Sequence, residues 1–120
     1  MMQKIVIIDD DEGVIDALTA ALSLWGYESI GVSNPDEAVQ IIQREHPLVI
    51  FLDLLLSGTD GVKVAKKIRR AQKGTRTPIV LMSAHPTAKF IAQTIAVDEF
   101  LSKPFDLDTL HATLNSVTHQ

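Results

Sequence analysis

An α/β fold, with a doubly wound parallel sheet of five strands and five helices, is what this 120-residue sequence predicts. Three observations carry that prediction. Short apolar, β-branched runs alternate with segments of helical periodicity along the whole chain. The run Leu48-Val-Ile-Phe-Leu52 is continuously apolar, as a strand buried on both faces requires. Turn and stop residues (Gly26, Pro35, Pro47, Gly58, Gly61, Pro78, Pro104) separate the segments.

In chain order, Lys4–Ile8 is a β-branched strand candidate that ends in Asp9-Asp10-Asp11-Glu12. Val14, Leu18, Ala21, Leu22 and Trp25 then share one helical face, and Gly26 stands where that helix stops. Tyr27–Val32 is a second strand. Ser33-Asn34-Pro35 opens a second helix with proline at its first position, Ala38, Ile41 and Ile42 pointing inward. Pro47 closes it, and the central strand runs to Asp53.

Val62, Ala65 and Ile68 mark a third helix with lysine and arginine on its outer side. Pro78–Met82 is a fourth strand reaching Ser83-Ala84. Ala88, Ile91, Ala92 and Ile95 give a fourth, less apolar helix. Glu99–Ser102 is a short fifth strand before Lys103-Pro104-Phe105. Asp106 can cap a fifth helix whose buried stripe is Leu107, Leu110, Leu114 and Val117. This spacing fits a flavodoxin-like strand order of 2-1-3-4-5, with the topological switch point between strands 1 and 3.

The length and an apolar fraction of 46% bound the chain to one globular domain, residues 1–120. The formal charge is -4, and the one basic cluster, Lys66-Lys67-Ile68-Arg69-Arg70, reads as a solvated helix face. Direct nucleic-acid binding is not expected from that balance. There is no cysteine, hence no disulfide framework and no thiolate metal site. No signal peptide and no membrane-spanning run is visible, so a cytoplasmic location is expected. The four histidines lack ligand spacing and read as surface or loop residues.

The predicted topology gathers the ends of strands 1, 3, 4 and 5 on one rim, which brings Asp9, Asp10, Asp53, Ser83 and Lys103 together. Each has a plainer reading alone: Asp53 as a loop cap, the acidic run as a helix N-terminus, Ser83 as a loop hydroxyl, Lys103 as an exposed lysine. Joint placement at four strand ends outweighs these. Two carboxylates about 5 Å apart repel by roughly 3 kcal/mol at an effective dielectric near 20, and three converging ones by on the order of 10 kcal/mol. Lys103 offsets only part of that. A divalent cation balances the rest, and oxygen-only ligands favour Mg²⁺ over Zn²⁺. Such a site suits phosphoryl transfer, with Asp53 as the nucleophile that forms an acyl phosphate.

The chain resembles a response-regulator receiver domain of two-component signalling, from Lys4 to about Val117. The segments that carry the likeness are Ile-Val-Ile-Ile-Asp9-Asp10-Asp11-Glu12, Asp53-Leu-Leu-Leu-Ser-Gly-Thr-Asp60-Gly61, Pro78-Ile-Val-Leu-Met-Ser83-Ala84 and Phe100-Leu-Ser-Lys103-Pro104-Phe105. The resemblance implies that Asp53 accepts a phosphoryl group from a phosphohistidine on a sensor histidine kinase or a histidine phosphotransfer protein. It implies that Asp9 and Asp10 hold Mg²⁺ with the backbone carbonyl of Leu55, and that Lys103 contacts the phosphoryl group. Ser83 is similar to the family's switch hydroxyl, Phe100 to the aromatic that turns inward behind it, and a cis bond is implied at Lys103-Pro104. The switched face would be that of the fourth helix, fifth strand and fifth helix, which is also a candidate surface for homodimerisation. A receiver is not an enzyme on other substrates; it catalyses only its own phosphorylation and dephosphorylation.

Two other readings compete. A pseudo-receiver that never carries phosphate is disfavoured by the full set of acids, hydroxyl and lysine. A flavin binder or an aspartate-based phosphatase is disfavoured by the acidic run and by Leu55. The chain departs from the family pattern at Ser57, Ala96 and Phe100, where proline, glycine and tyrosine are common. Leu55 sets an apolar side chain where an attacking water would approach, so slow spontaneous loss of the phosphoryl group is expected. Leu55→Asn is then expected to shorten the phosphoryl lifetime, measured by the decay of the phosphorylated species. An unchanged lifetime would count against that role.

Overall fold

Four of the five residues in Lys4–Ile8 are β-branched, which crowds a helix but suits a pleated strand. They form β1. The other strands are β2 (Glu28–Val32), β3 (Val49–Asp53), β4 (Ile79–Ser83) and β5 (Glu99–Ser102). In this computed structural model, which describes residues 2–56, 59–72, 74–85, 90, 93 and 97–118, they make one sheet. Its order is β2-β1-β3-β4-β5, all parallel, as the sequence predicts.

Helix α1 (Glu12–Leu24) starts at Asp11, whose side chain accepts from the Gly13 amide. Its C-cap, Trp25, stacks on His111, with ring centroids 4.3 Å apart. Asn34 caps a 3₁₀ turn, Pro35–Glu37, that leads into α2 (Ala38–Glu45). His46 ends α2 in the left-handed region at φ 49°. Asp60 caps α3 (Gly61–Ala71) through the Val62 amide. The C-terminal helix, Leu107–Thr118, is capped by Asp106, which accepts from the Thr109 amide at 2.7 Å.

The core lies in two layers, one on each face of the sheet. Alternate residues of β1 and β3 divide between them, because side chains on a strand point to opposite faces in turn. Ile5, Ile7, Val49 and Phe51 pack with α1 and the C-terminal helix; Val6, Ile8, Ile50 and Leu52 pack with α2 and α3. Both faces are covered, so β1, β3 and β4 are nearly free of solvent.

Two details differ from the sequence reading. Leu107 is 52% exposed; as the first helical residue it precedes Leu110, where the stripe reaches the core. Two dipeptides, Leu55–Leu56 and Thr59–Asp60, pair as an antiparallel ribbon, too short for periodicity to signal. His46, His85 and His111 are exposed, as expected of surface or loop residues. The expected fourth helix at Ala88, Ile91, Ala92 and Ile95, with Ser57, Ala96 and His119, lies outside the described residues.

Asp98 closes the pole of the sheet away from the strand ends. It accepts from Arg69 Nη2 at 2.7 Å and from the Ile79 amide at 2.8 Å, and it pairs with Arg76. Arg69 also donates to the Thr77 carbonyl at 2.6 Å, so α3, β4 and the entry to β5 share one network. Asp98→Ala leaves these donors without their acceptor and is expected to cost about 1–3 kcal/mol in urea unfolding. A loss below about 0.5 kcal/mol would mean the network contributes no more than an average surface contact.

Candidate functional site

The acidic run after β1 divides its work residue by residue. Asp11 is the N-cap of α1, and Glu12 lies in its first turn, where negative charge complements the helix dipole. The helix-start reading is therefore correct for these two. Asp9 does something else: it is fully buried, and its Oδ1 accepts from the Asp11 amide at 3.0 Å. Asp10 is exposed.

Parallel register brings Asp53 beside Asp9, because Ile8 pairs with Leu52. On the other side Asp53 pairs with Met82, so Ser83 lies one residue beyond it. Ser83 pairs with Ser102, and the Lys103 amide donates to the Ser83 carbonyl at 2.9 Å. Lys103, joined to Pro104 by a cis peptide, sends its ammonium back across the rim. Lys103 Nζ lies 2.9 Å from Asp9 Oδ2 and 3.1 Å from Asp53 Oδ1.

One oxygen from each of Asp9, Asp10 and Asp53 lies within 4.8 Å of the other two, an all-oxygen donor set of the kind that hard divalent cations prefer. Ser83 is buried, and its Oγ accepts from the His85 amide at 2.9 Å. Phe100 sits half-buried against the core layer that holds Ile79 and Leu81. All the predicted site residues whose side chains are described are thus at one rim or directly behind it. Leu55, expected to act through its carbonyl, begins the short ribbon that follows Asp53.

Burial pushes the Asp53 carboxyl above its ordinary value, against the pull of Lys103; the charges of Asp9 and Asp10 add to the rise. Burial pulls the Lys103 ammonium down, but its bond to Asp9 and the charge of Asp53 outweigh this, and it titrates above its ordinary value. Lysine therefore stays charged while its acids remain crowded.

Gly61 is a supporting residue that sequence reasoning treats only as a loop glycine. Its amide donates to the Leu54 carbonyl at 2.8 Å. A Cβ there would lie 2.4 Å from the Asp53 carbonyl oxygen and 2.6 Å from that of Leu54, so only glycine lets α3 start against the end of β3. The Asp-Gly pair before a helical pattern is the signal that marks it.

Residues 5–115 match the family described as the response regulator receiver domain. Over 117 residues the chain is 32% identical to the probable transcriptional regulator ycf27 of Porphyridium aerugineum, covering 96% of this chain and 48% of that protein. A two-component response regulator from Clostridium difficile shares the fold with a TM-score of 0.88 at 30% identity, over 99% of this chain and 98% of that one. The chemotaxis protein CheY4 of Vibrio cholerae gives a TM-score of 0.88 at 26% identity, over 98% and 99% of the two chains. The chain spans between 24% and 50% of the length of three curated relatives that it matches.

A carboxyl whose folded pKa is raised contributes stability that is present below its unfolded value and lost as pH rises through the folded value. Ionised Asp53 therefore weakens the fold at neutral pH. Asp53→Asn is expected to raise the melting temperature at pH 7 by about 3–5 °C, corresponding to roughly 1 kcal/mol in a domain of this size. The gain should shrink as pH falls below the ordinary carboxylate range. A lower melting temperature for the variant at pH 7 would show that the Lys103 contact outweighs the burial of charge.

Proposed function

Because the chain belongs to the response regulator receiver domain family, we propose that it is a phosphoacceptor switch whose Asp53 takes a phosphoryl group from a phosphohistidine. The donor would be a sensor histidine kinase or a histidine phosphotransfer protein. The observation that carries this reading is the Lys103 ammonium held between Asp9 and Asp53, at 2.9 and 3.1 Å. It sits where a transferred group on Asp53 would meet it.

Asp9, Asp10 and Asp53, with the Leu55 carbonyl, would hold Mg²⁺; the donor set is oxygen-only and the three carboxylates converge. When bound, the cation supplies neutralisation of the charge that builds on the transferring oxygens. The protein's own residues do the rest. A carboxylate oxygen of Asp53 attacks phosphorus in line, the P–N bond breaks, and its electron pair leaves on the imidazole nitrogen. The product is an aspartyl acyl phosphate, whose oxygens Lys103 can bind in place of the carboxylate.

Ser83 Oγ accepts from the His85 amide, a bond that does not engage its own proton, which can be donated to a phosphoryl oxygen. Drawing Ser83 toward Asp53 pulls on the segment after β4, and Phe100 lies in the layer that would repack. The face of the fourth helix, β5 and the C-terminal helix is then the output surface and a candidate for homodimerisation. On this reading residues 1–120 are one receiver that works in the cytoplasm and touches neither nucleic acid nor membrane. It acts on no substrate beyond its own phosphoryl group. No described helix is long and apolar enough to cross a membrane.

Incubation with acetyl phosphate and Mg²⁺ is expected to add the mass of one phosphoryl group to the intact chain. Asp53→Asn should abolish the gain with the circular dichroism spectrum unchanged, and EDTA should suppress it by at least about tenfold. Failure of the wild-type chain to gain mass or to bind beryllofluoride with Mg²⁺ would overturn the proposal in favour of an interaction module that never carries phosphate.

A further inference from the structure

Helix α3 carries charges that the phosphoacceptor chemistry leaves unused. Its buried side is Gly61, Val64, Ala65 and Ile68, and its exposed side is Lys63, Lys66, Lys67 and Arg70. At 3.6 residues per turn these four cations fall within an arc of about 100° and extend about 10 Å along the axis. The helix contains no acidic residue. None of the four makes an ion pair or a hydrogen bond among the described residues. They face each other instead: Lys63 with Lys66 and Lys67, and Arg70 with Lys66 and Lys67, all at i,i+3 or i,i+4 spacing, where like charges destabilise a helix. Arg69, by contrast, is turned toward Asp98 and belongs to the fold.

The whole chain carries -4, so without these four cations it would carry -8. A basic stripe on an otherwise acidic molecule has a restricted set of complements. We propose that it docks an acidic segment of a protein partner, helical, with carboxylates recurring at i, i+3 or i+4, and i+7. A nucleic-acid strand fits less well. Its charge continues past the short stripe, and next to the start of α3 it would meet the exposed Asp60 and Asp10. An extended anionic membrane surface meets the same acids. A short acidic segment is neutralised by the stripe and ends with it.

The proposal stands apart from phosphorylation of Asp53 and is tested without it. The isotope-labelled 120-residue chain is titrated with a synthetic helical peptide whose glutamates stand at i, i+3 and i+7, and with an isomer that spreads the same glutamates around the helix. Amide shifts confined to α3 and its neighbours are expected. The matched peptide should bind at least about fivefold tighter than the isomer, and its affinity should fall steeply with added salt. Lys66→Glu should weaken binding at least about tenfold without lowering the melting temperature, because the new carboxylate would face Lys63 and Arg70. Absence of shifts on α3, equal affinity for the two peptides, or tighter binding to a short DNA duplex or to phosphatidylserine vesicles would overturn the assignment.

Discussion

One ammonium among crowded carboxylates is the constraint on which the rest of this molecule depends. Asp9 and Asp53 are both buried, and an unpaired buried charge is among the costliest features a fold can hold. Lys103 reaches both from a loop 50 residues beyond Asp53 and 94 beyond Asp9. One positive charge does not cancel three negative ones; burial first, and the charges of Asp9 and Asp10 after it, raise the Asp53 carboxyl against the pull of Lys103. The rim is therefore left short of positive charge. That deficit makes the site receptive to a cation.

The sheet makes this crowding enforceable. β1, β3 and β4 are buried on both faces, so slipping their register would drag apolar side chains and backbone groups out of their partners. With the register held, Asp9, Asp53 and Ser83 come at the ends of neighbouring strands, and Lys103 follows from β5. Gly61 adds a second lock, since α3 begins in direct contact with the carbonyls of Asp53 and Leu54. At the other pole, Asp98 holds α3, β4 and β5 together through Arg69 and two backbone segments. The charged rim thus rests on a frame fixed at both ends.

Charge is also segregated over the surface. Three aspartates away from the rim (Asp11, Asp60, Asp106) serve as helix caps, where their charge meets free amides. The exposed cations of α3 have no such internal partner among the described residues. These caps are satisfied within the fold, whereas the base on α3 is left facing outward.

Much of this was legible in the residues alone. Alternating apolar runs and helical stripes determined the element order and the parallel sheet, because burial on two faces leaves a periodic trace in any chain that forms it. The same patterns placed Asp9, Asp10, Asp53, Ser83 and Lys103 at strand ends, so the rim could be drawn before any coordinate. What the sequence could not divide was the acidic run: only tertiary structure separates buried Asp9 from Asp11, which caps a helix two residues away. Nor could periodicity reveal the 55–60 ribbon, the exposure of Leu107, the closeness of Gly61 to the backbone of β3, or the turn of Arg69 toward Asp98. These depend on distances between segments far apart in the chain, and local spacing carries no information about such distances until the sheet brings the segments into contact.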